Sequence, residues 1–489
     1  MQKQRTLYCN DARHWYLFVH EPPMTMEAAH SPIDEVAGTG VDTFAYGVSR
    51  DDGLFYPSKV GMRFRDDMKG RIESSAYWRV WHNMQSLIDR GLDPLRVLVD
   101  RAHERGLDFI SSLRMGAHPG MPVDRSVAQG GRGMAEEDVR DFQFRLLEEL
   151  AIDYPVEGIE LDFAAAPGGT SWWFPLDEAE SLAPVMTEFV RRVRDRTQAR
   201  AGGECLVGAR VYVTPELNQR AGLEIERWLE EGLVDYVLPV SYGFCILDAD
   251  MPIGWLVEAA TAHGVSVYPM LQPYYTDHSR PLTTREFPTA AMVRAAVANY
   301  RRMGANGFCT WAMSWPFGDV ERSVLGVMAD PRTAGDKHYF LRREFQEPYM
   351  KGWDYPSYLP QRIDPATDLG RVYEIPFAIA DEVGTLEGGG PRVTLRLGLT
   401  DLVAADRLEL KLNGESLSGE RVRRGALRPI DPYSGQWLEI ELVRERPLQG
   451  RNQLEVTLQS RPTDLISPLI LEDVEMKVEY DVFSGGNLP

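Results

Sequence analysis

Glu160 and Asp162 stand two residues apart in the run Val156 to Phe163, VEGIELDF. Side chains alternate along a strand, so the two carboxyls share one face while Ile159, Leu161 and Phe163 take the other. Two acids inside an otherwise apolar strand either form a structural ion pair or perform acid–base, nucleophilic or charge-stabilising work. Asp162 falls at the strand's C-terminal end and is the candidate ionised group. Glu160 lies a layer deeper, and Arg210 on the next strand-like run is its expected partner, because an unpaired acid buried there would be costly.

Other chemistry-bearing residues fall at the expected C-terminal ends of further strands: Glu21, Arg114, His118, Glu216, Tyr242, Gln272, Tyr274, Trp311 and Trp315, with Trp172 on a loop between them. Rings among carboxylates suit a pyranose, whose apolar face stacks and whose hydroxyls need partners. Glu21, Arg114, His118, Trp172, Tyr242, Gln272, Tyr274, Trp311 and Trp315 are therefore the candidate substrate-binding residues. Glycoside cleavage generally uses one protonated and one ionised carboxyl. Asp162 would be nucleophile or charge stabiliser, and Glu216, just past the next strand, the general acid/base, with Glu21 the second choice. The histidines His14, His20 and His118 lack metal-ligand spacing, so no metal and no cofactor is expected.

The elements that must position these residues follow a strand, loop, helix rhythm up to about Phe317. Eight runs read as strands: 15–20, 41–48, 108–114, 158–163, 206–214, 234–242, 265–271 and 307–315. Helical patterns separate several of them, the cleanest being Ala135 to Asp153, with Val139, Phe142, Leu146 and Leu150 at helical spacing. Gly106, Gly232, Gly264 and Gly304 stand where helices should end in a left-handed residue. Eight such units predict a (β/α)8 TIM barrel over residues 1–330. Two connections, 49–75 and 118–134, are long enough to build or cover a site.

Past residue 330 the pattern changes. Residues 331–368 are irregular and Pro-rich, which predicts a linker packed on the barrel, and 369–489 offer only alternating strand-like runs with an Asn413-Gly414 hairpin turn. An all-β sandwich of jelly-roll type is expected there.

Composition narrows the partners. The 489 residues are 44% hydrophobic and carry a formal charge of −20, which disfavours nucleic acid and anionic membrane surfaces. There is no apolar leader-like stretch and no run long enough to span a bilayer, so a full-length chain would be cytoplasmic. The widely spaced Cys9, Cys205, Cys245 and Cys309 suggest free thiols.

The fourth-strand segment resembles family 18 glycoside hydrolases, whose strand reads DGxDxDxE. Glu157, Gly158, Glu160 and Asp162 match it, but Ala164 stands where that family has its proton-donating glutamate. A longer match is to the bacterial glycoside-hydrolase-like family 10-like (β/α)8 proteins. It is carried by GIELD (158–162), TPELN (214–218) and WLEEGLVDYVLPVSY (228–242), and covers roughly the barrel. It implies a polysaccharide-directed hydrolase with Asp162 and the end of the fifth strand at the site. LKLNGESL and LQGRNQLEV make the C-terminal domain similar to a galactose-binding-type jelly roll, which implies an accessory role. The leading expectation is a glycoside hydrolase acting on an oligo- or polysaccharide. The alternatives are a carbohydrate-binding barrel without catalysis, suggested by Ala164, and a sugar-directed lyase or isomerase.

Overall fold

The computed structural model describes residues 4–11, 16–50, 52–68, 71–116, 119–163, 173–201, 203–241, 246–275, 286–330, 332–341, 358–385, 389–428 and 431–480. Its first sheet contains β1 Arg5–Asp11, β2 Thr43–Gly47, β3 Asp108–Arg114, β4 Gly158–Asp162, β5 Leu206–Val211, β6 Tyr236–Pro239, β7 in two pieces, Ser266–Val267 and Met270–Leu271, and β8 Gly307–Trp311. Each strand pairs in parallel with the next, and β8 pairs with β1. The first piece of β7 bonds to β6 and the second to β8. At the break, the Tyr268 N–H donates to Val237 while the Pro269 carbonyl accepts from Cys309, so the strand passes from one neighbour to the other. The ring is thereby closed, and the fold is a (β/α)8 barrel followed by an antiparallel β-sandwich.

Alternation sorts the residues. Leu7, Cys9, Ile110, Tyr236, Leu238, Met270, Cys309 and Trp311 fill the inside of the ring. Phe44, Phe109, Ile159, Leu161 and Val207 point outward into the helical layer. The helices in chain order are α1 Tyr16–Val19, α2 Met26–Val36, α3 Ser75–Ile88, α4 Pro94–Glu104, α5 Glu137–Asp153, α6 Ala183–Gln198, α7 Pro215–Arg220, α8 Ile225–Glu230, α9 Gly254–Ala262, α10 Ala290–Met303 and α11 Asp319–Ala329. Starts are set locally: Asp93 caps α4 with Pro94 in the first turn, and the Thr289 hydroxyl accepts from Met292 N–H at α10. Gly304 ends α10 at φ 105°, a conformation that costs a Cβ-bearing residue more.

One expectation is corrected. The run 15–20 is not the first strand: Tyr16–Val19 is helical, and β1 is the more polar Arg5–Asp11. Arg5 looks unsuited to a strand interior until its partner appears, since its guanidinium reaches Asp108 at 2.6 Å and Thr43 Oγ1 at 2.6 Å on the barrel floor. The apolar YLFV segment packs one face inward as a helical turn, an ambiguity that short apolar runs carry.

The sandwich strands are β9 Lys337–Phe340, β10 Gln361–Ile363, β11 Val372–Ile379, β12 Arg392–Thr400, β13 Arg407–Leu412, β14 Glu415–Ser416, β15 Arg421–Arg428, β16 Asp431–Glu441, β17 Gly450–Ser460 and β18 Leu469–Glu479. One sheet runs β9-β18-β12-β16-β15, with β10 also on β18, and the other β11-β17-β13-β14. β9 and β10 thus come from the stretch expected as a linker. Asn413 and Gly414 take φ 53° and 87° in the β13–β14 turn, as the Asn-Gly pair requires. Inward Leu395, Leu397, Ile375, Leu454, Val456 and Val474 form a second core. Among the described residues no helix is long and apolar enough to cross a membrane.

Candidate active site

Glu160 and Asp162 enter the barrel from β4, and parallel register fixes their neighbours. Ser112 lies beside Glu160, and Arg114 and Arg210 flank Asp162 on β3 and β5. Side chains in register on adjacent parallel strands share a face, so the three charged groups Arg114, Asp162 and Arg210 form one tier at the C-terminal end of the barrel. Glu160, Asp162 and Arg210 are 0%, 4% and 7% exposed, deep enough for their charges to be weakly screened.

Arg210 distributes its guanidinium over this tier and the one below. One nitrogen lies 2.6 Å from Glu160 Oε1 and 2.8 Å from Cys9 Sγ, and another lies 3.4 Å from Asp162 Oδ2. The Ser112 hydroxyl donates to the same Glu160 oxygen at 2.7 Å. Burial pushes the Glu160 carboxyl above its usual range, against the pull of Arg210. Burial likewise pushes the Cys9 thiol up to about 11, so it stays neutral and serves as a soft acceptor. Glu160 is therefore committed to the deeper tier. Asp162 is held more loosely, at 3.4 Å from Arg210, and its Oδ1, like Glu160 Oε2 in the tier below, is buried without a hydrogen-bond partner among the described residues. A carboxylate with one anchored and one uncommitted oxygen can accept from a sugar hydroxyl, face a developing cation or attack a carbon centre.

Across the mouth, the Gln272 amide donates to the Ser241 carbonyl at 3.0 Å and accepts from Trp311 Nε1 at 2.8 Å. This pins the Trp311 indole, which is only 7% exposed and belongs to the cluster inside the ring against which Tyr274 packs. Tyr274 packs on Phe287 with ring centroids 5.2 Å apart. Trp315 is half-buried, meets His20 edge-on at 5.8 Å, and directs its indole N–H toward Glu35 of α2. Arg114 is half-buried, its backbone N–H donating to Ser49 Oγ at 3.2 Å.

Two expected residues lie apart from this tier. Glu21 is exposed and pairs with Arg79 of α3. Glu216 is exposed in the first turn of α7, where Thr214 provides the cap, and no described hydrogen bond or ion pair joins it to Asp162. His118, Trp172 and Tyr242 lie outside the described residues, as do His14 and Ala164. Among the described residues no group of His, Cys, Asp and Glu is arranged to hold a metal ion. Sequence reasoning missed Ser112 and Cys9, whose roles follow from barrel register rather than from any motif. It also missed Glu35 on α2 and the Trp78, Trp81 and His82 set on α3, of which the second does leave a helical i, i+3, i+4 signature.

The architecture defines a (β/α)8 barrel with charged groups at the C-terminal end of its strands, the position where barrel enzymes place their chemistry. No family model and no curated protein matches the chain. Among solved structures it is similar to alpha-L-fucosidase isoenzyme 2 from Paenibacillus thiaminolyticus, with 10% identity and a TM-score of 0.44, over 67% of this chain and 49% of that one. The chain thus spans about half the length of that enzyme. It is also similar to an alpha-L-fucosidase from Bacteroides thetaiotaomicron, at 10% identity and a TM-score of 0.40, over 94% of each chain. A third similarity is to a chitinase from Rhizomucor miehei, at 13% identity and a TM-score of 0.38, over 67% of this chain and 99% of that one.

Proposed function

We propose that the barrel is a glycoside hydrolase acting on an oligo- or polysaccharide, with Asp162 as the nucleophile or charge stabiliser. The observation that carries this reading is the Asp162 carboxylate at the end of β4, flanked in register by Arg114 and Arg210 and left with one uncommitted oxygen. Arg210 lies 3.4 Å from Asp162 Oδ2, and a carboxylate so placed can face an oxocarbenium-like centre. Arg114 would hold a hydroxyl or the ring substituents. The aromatic wall formed by Trp311 and Tyr274 would bound the sugar opposite. Glu216, exposed in the first turn of α7 after β5, the strand that pairs with Asp162's own, is the proposed proton donor. The GIELD, TPELN and WLEEGLVDYVLPVSY segments, which resemble the family 10-like barrels, support the same assignment.

The exposure of Glu216 favours one rival, a carbohydrate-binding barrel that does not turn its ligand over. A panel of aryl glycosides and oligosaccharides, run with the wild type and with Asp162→Asn and Glu216→Gln, separates the two. Hydrolysis by the wild type, reduced at least a thousandfold in Asp162→Asn, is expected. Hydrolysis that survives Asp162→Asn removes the assignment. Binding without turnover in all three proteins moves the barrel to the rival reading.

A further inference from the structure

The C-terminal face is divided. Its charges come from the consecutive strands β3, β4 and β5, as Arg114, Asp162 and Arg210. After β4 the described aromatics Phe163, Trp173 and Phe174 are fully buried, whereas a set of partly exposed rings comes from the other side of the ring, where β7, β8, β1 and β2 are also consecutive. Tyr274 and Phe287 follow β7, Trp315 follows β8, and His20 follows β1 and meets Trp315 edge-on. The arc continues onto α3, which follows β2.

Trp78, Trp81 and His82 lie on one face of α3 at the spacing that brings helix side chains together. The His82 ring lies 4.3 Å from Trp78 and 4.8 Å from Trp81. Trp81 is pinned by the loop that leaves β2: its indole N–H donates to Asp66 at 3.0 Å, and Arg63 lies over its ring at 5.2 Å. Trp78 is 43% exposed, the only tryptophan among the described residues with that degree of exposure. The helix is fixed to the barrel mouth, because Asn83 donates to the carbonyls of Leu17 and His20 on the β1–α2 connection. The ridge is thus a rigid continuation of the mouth and does not belong to the helical core.

We propose that this ridge is a remote subsite for a sugar ring, so that the barrel takes an extended glycan chain whose reacting bond lies at Asp162; the inference rests on the proposed function above. The occupant follows from chemistry. Broad apolar contact with a protein partner would need a continuous patch, whereas here the exposed Trp78 stands beside Trp81, which Arg63 and Asp66 hold, and next in sequence to Arg79, which pairs with Glu21. An apolar face with hydrogen-bonding edges is what a pyranose presents in return. Strands in a sheet lie about 4.8 Å apart, so an arc over four of them spans on the order of 15 Å even at strand level, too long for a single sugar ring.

The test is native affinity electrophoresis through gels containing glycol chitin, galactomannan, xylan or polygalacturonate, using the wild type, Trp78→Ala, Trp78→Phe and Asp162→Asn. At least one polymer should retard the wild type, Asp162→Asn and Trp78→Phe alike. Trp78→Ala should bind that polymer about tenfold more weakly while matching the wild type on aryl glycosides. Equal retardation of Trp78→Ala and wild type, or no retardation of the wild type by any of the four polymers, would overturn the ridge. Turnover of aryl glycosides judges the hydrolase reading separately: retardation lost in Trp78→Ala without any turnover leaves the ridge standing on a binding barrel.

Discussion

Glu35 shows how a single side chain can tie the site to pH. It sits near the end of α2, half-buried, and burial pushes its carboxyl up to about 7, against the backbone N–H of Phe317, the Arg322 guanidinium and the Trp315 indole. The folded state therefore holds this proton more tightly than the unfolded chain does. Its contribution to stability is complete below the ordinary glutamate value of 4.5 and is lost as pH rises toward about 7. After allowance for its exposure, the loss is on the order of 1–2 kcal/mol. Melting temperatures of wild type and Glu35→Gln between pH 4.5 and 8 check this: the wild type should fall further with rising pH than the variant, and parallel curves would refute it. The carboxyl pair on β4 was legible in the sequence because period-two alternation assigns faces without any tertiary knowledge. Glu35, Ser112 and Cys9 were not, because their partners lie 282, 48 and 201 positions away at Phe317, Glu160 and Arg210, and only closure of the barrel brings them together.

At the level of elements, the long connection after β2 is held by one acid on a helix. Glu149 of α5 is 7% exposed and accepts from Tyr56 at 3.0 Å, from Ser58 at 2.5 Å and from the Lys59 backbone at 2.6 Å. Replacing it with alanine leaves these donors without their acceptor at a cost of about 3 kcal/mol. Glu149→Ala should therefore lower the denaturation midpoint and speed proteolytic cutting within 52–68, and cutting at the wild-type rate would show that the loop is held by other means. The helices were read well where a capping residue and a terminal glycine bracket an apolar stripe, as at Asp93 to Gly106. Strand β1 was missed because Arg5 within it is satisfied by Asp108 and Thr43, residues that the local pattern does not show. Helix α3, which begins where the long connection 49–75 ends, is not among the helices read from the sequence, although Ser74 caps it and its apolar spacing is regular.

The whole molecule joins its two parts through β9, which pairs with β18 of the sandwich while α10 of the barrel packs against it. At its start, Lys337 reaches Asp381 at 2.7 Å, and Tyr339 and Tyr480 donate to the same carboxylate. Both charged side chains are nearly sealed from water, at 6% and 4% exposure. Asn299 of α10 adds hydrogen bonds to the Ala249 and Ala378 carbonyls, and Arg451 pairs with Asp250 at 3.0 Å. Asp381→Ala would strand a buried ammonium at a cost of about 3–5 kcal/mol. Calorimetry should show the sandwich transition of that variant moving to lower temperature, and an unchanged thermogram would count against this role for β9. The exposed arginines of β15 have a different consequence. Arg421, Arg423 and Arg424 lie along the outer strand of its sheet, where unbonded backbone groups could otherwise recruit a strand from another molecule. Two copies meeting edge to edge would bring like charges face to face, so the sheet resists growth into filaments even though the protein as a whole is acidic.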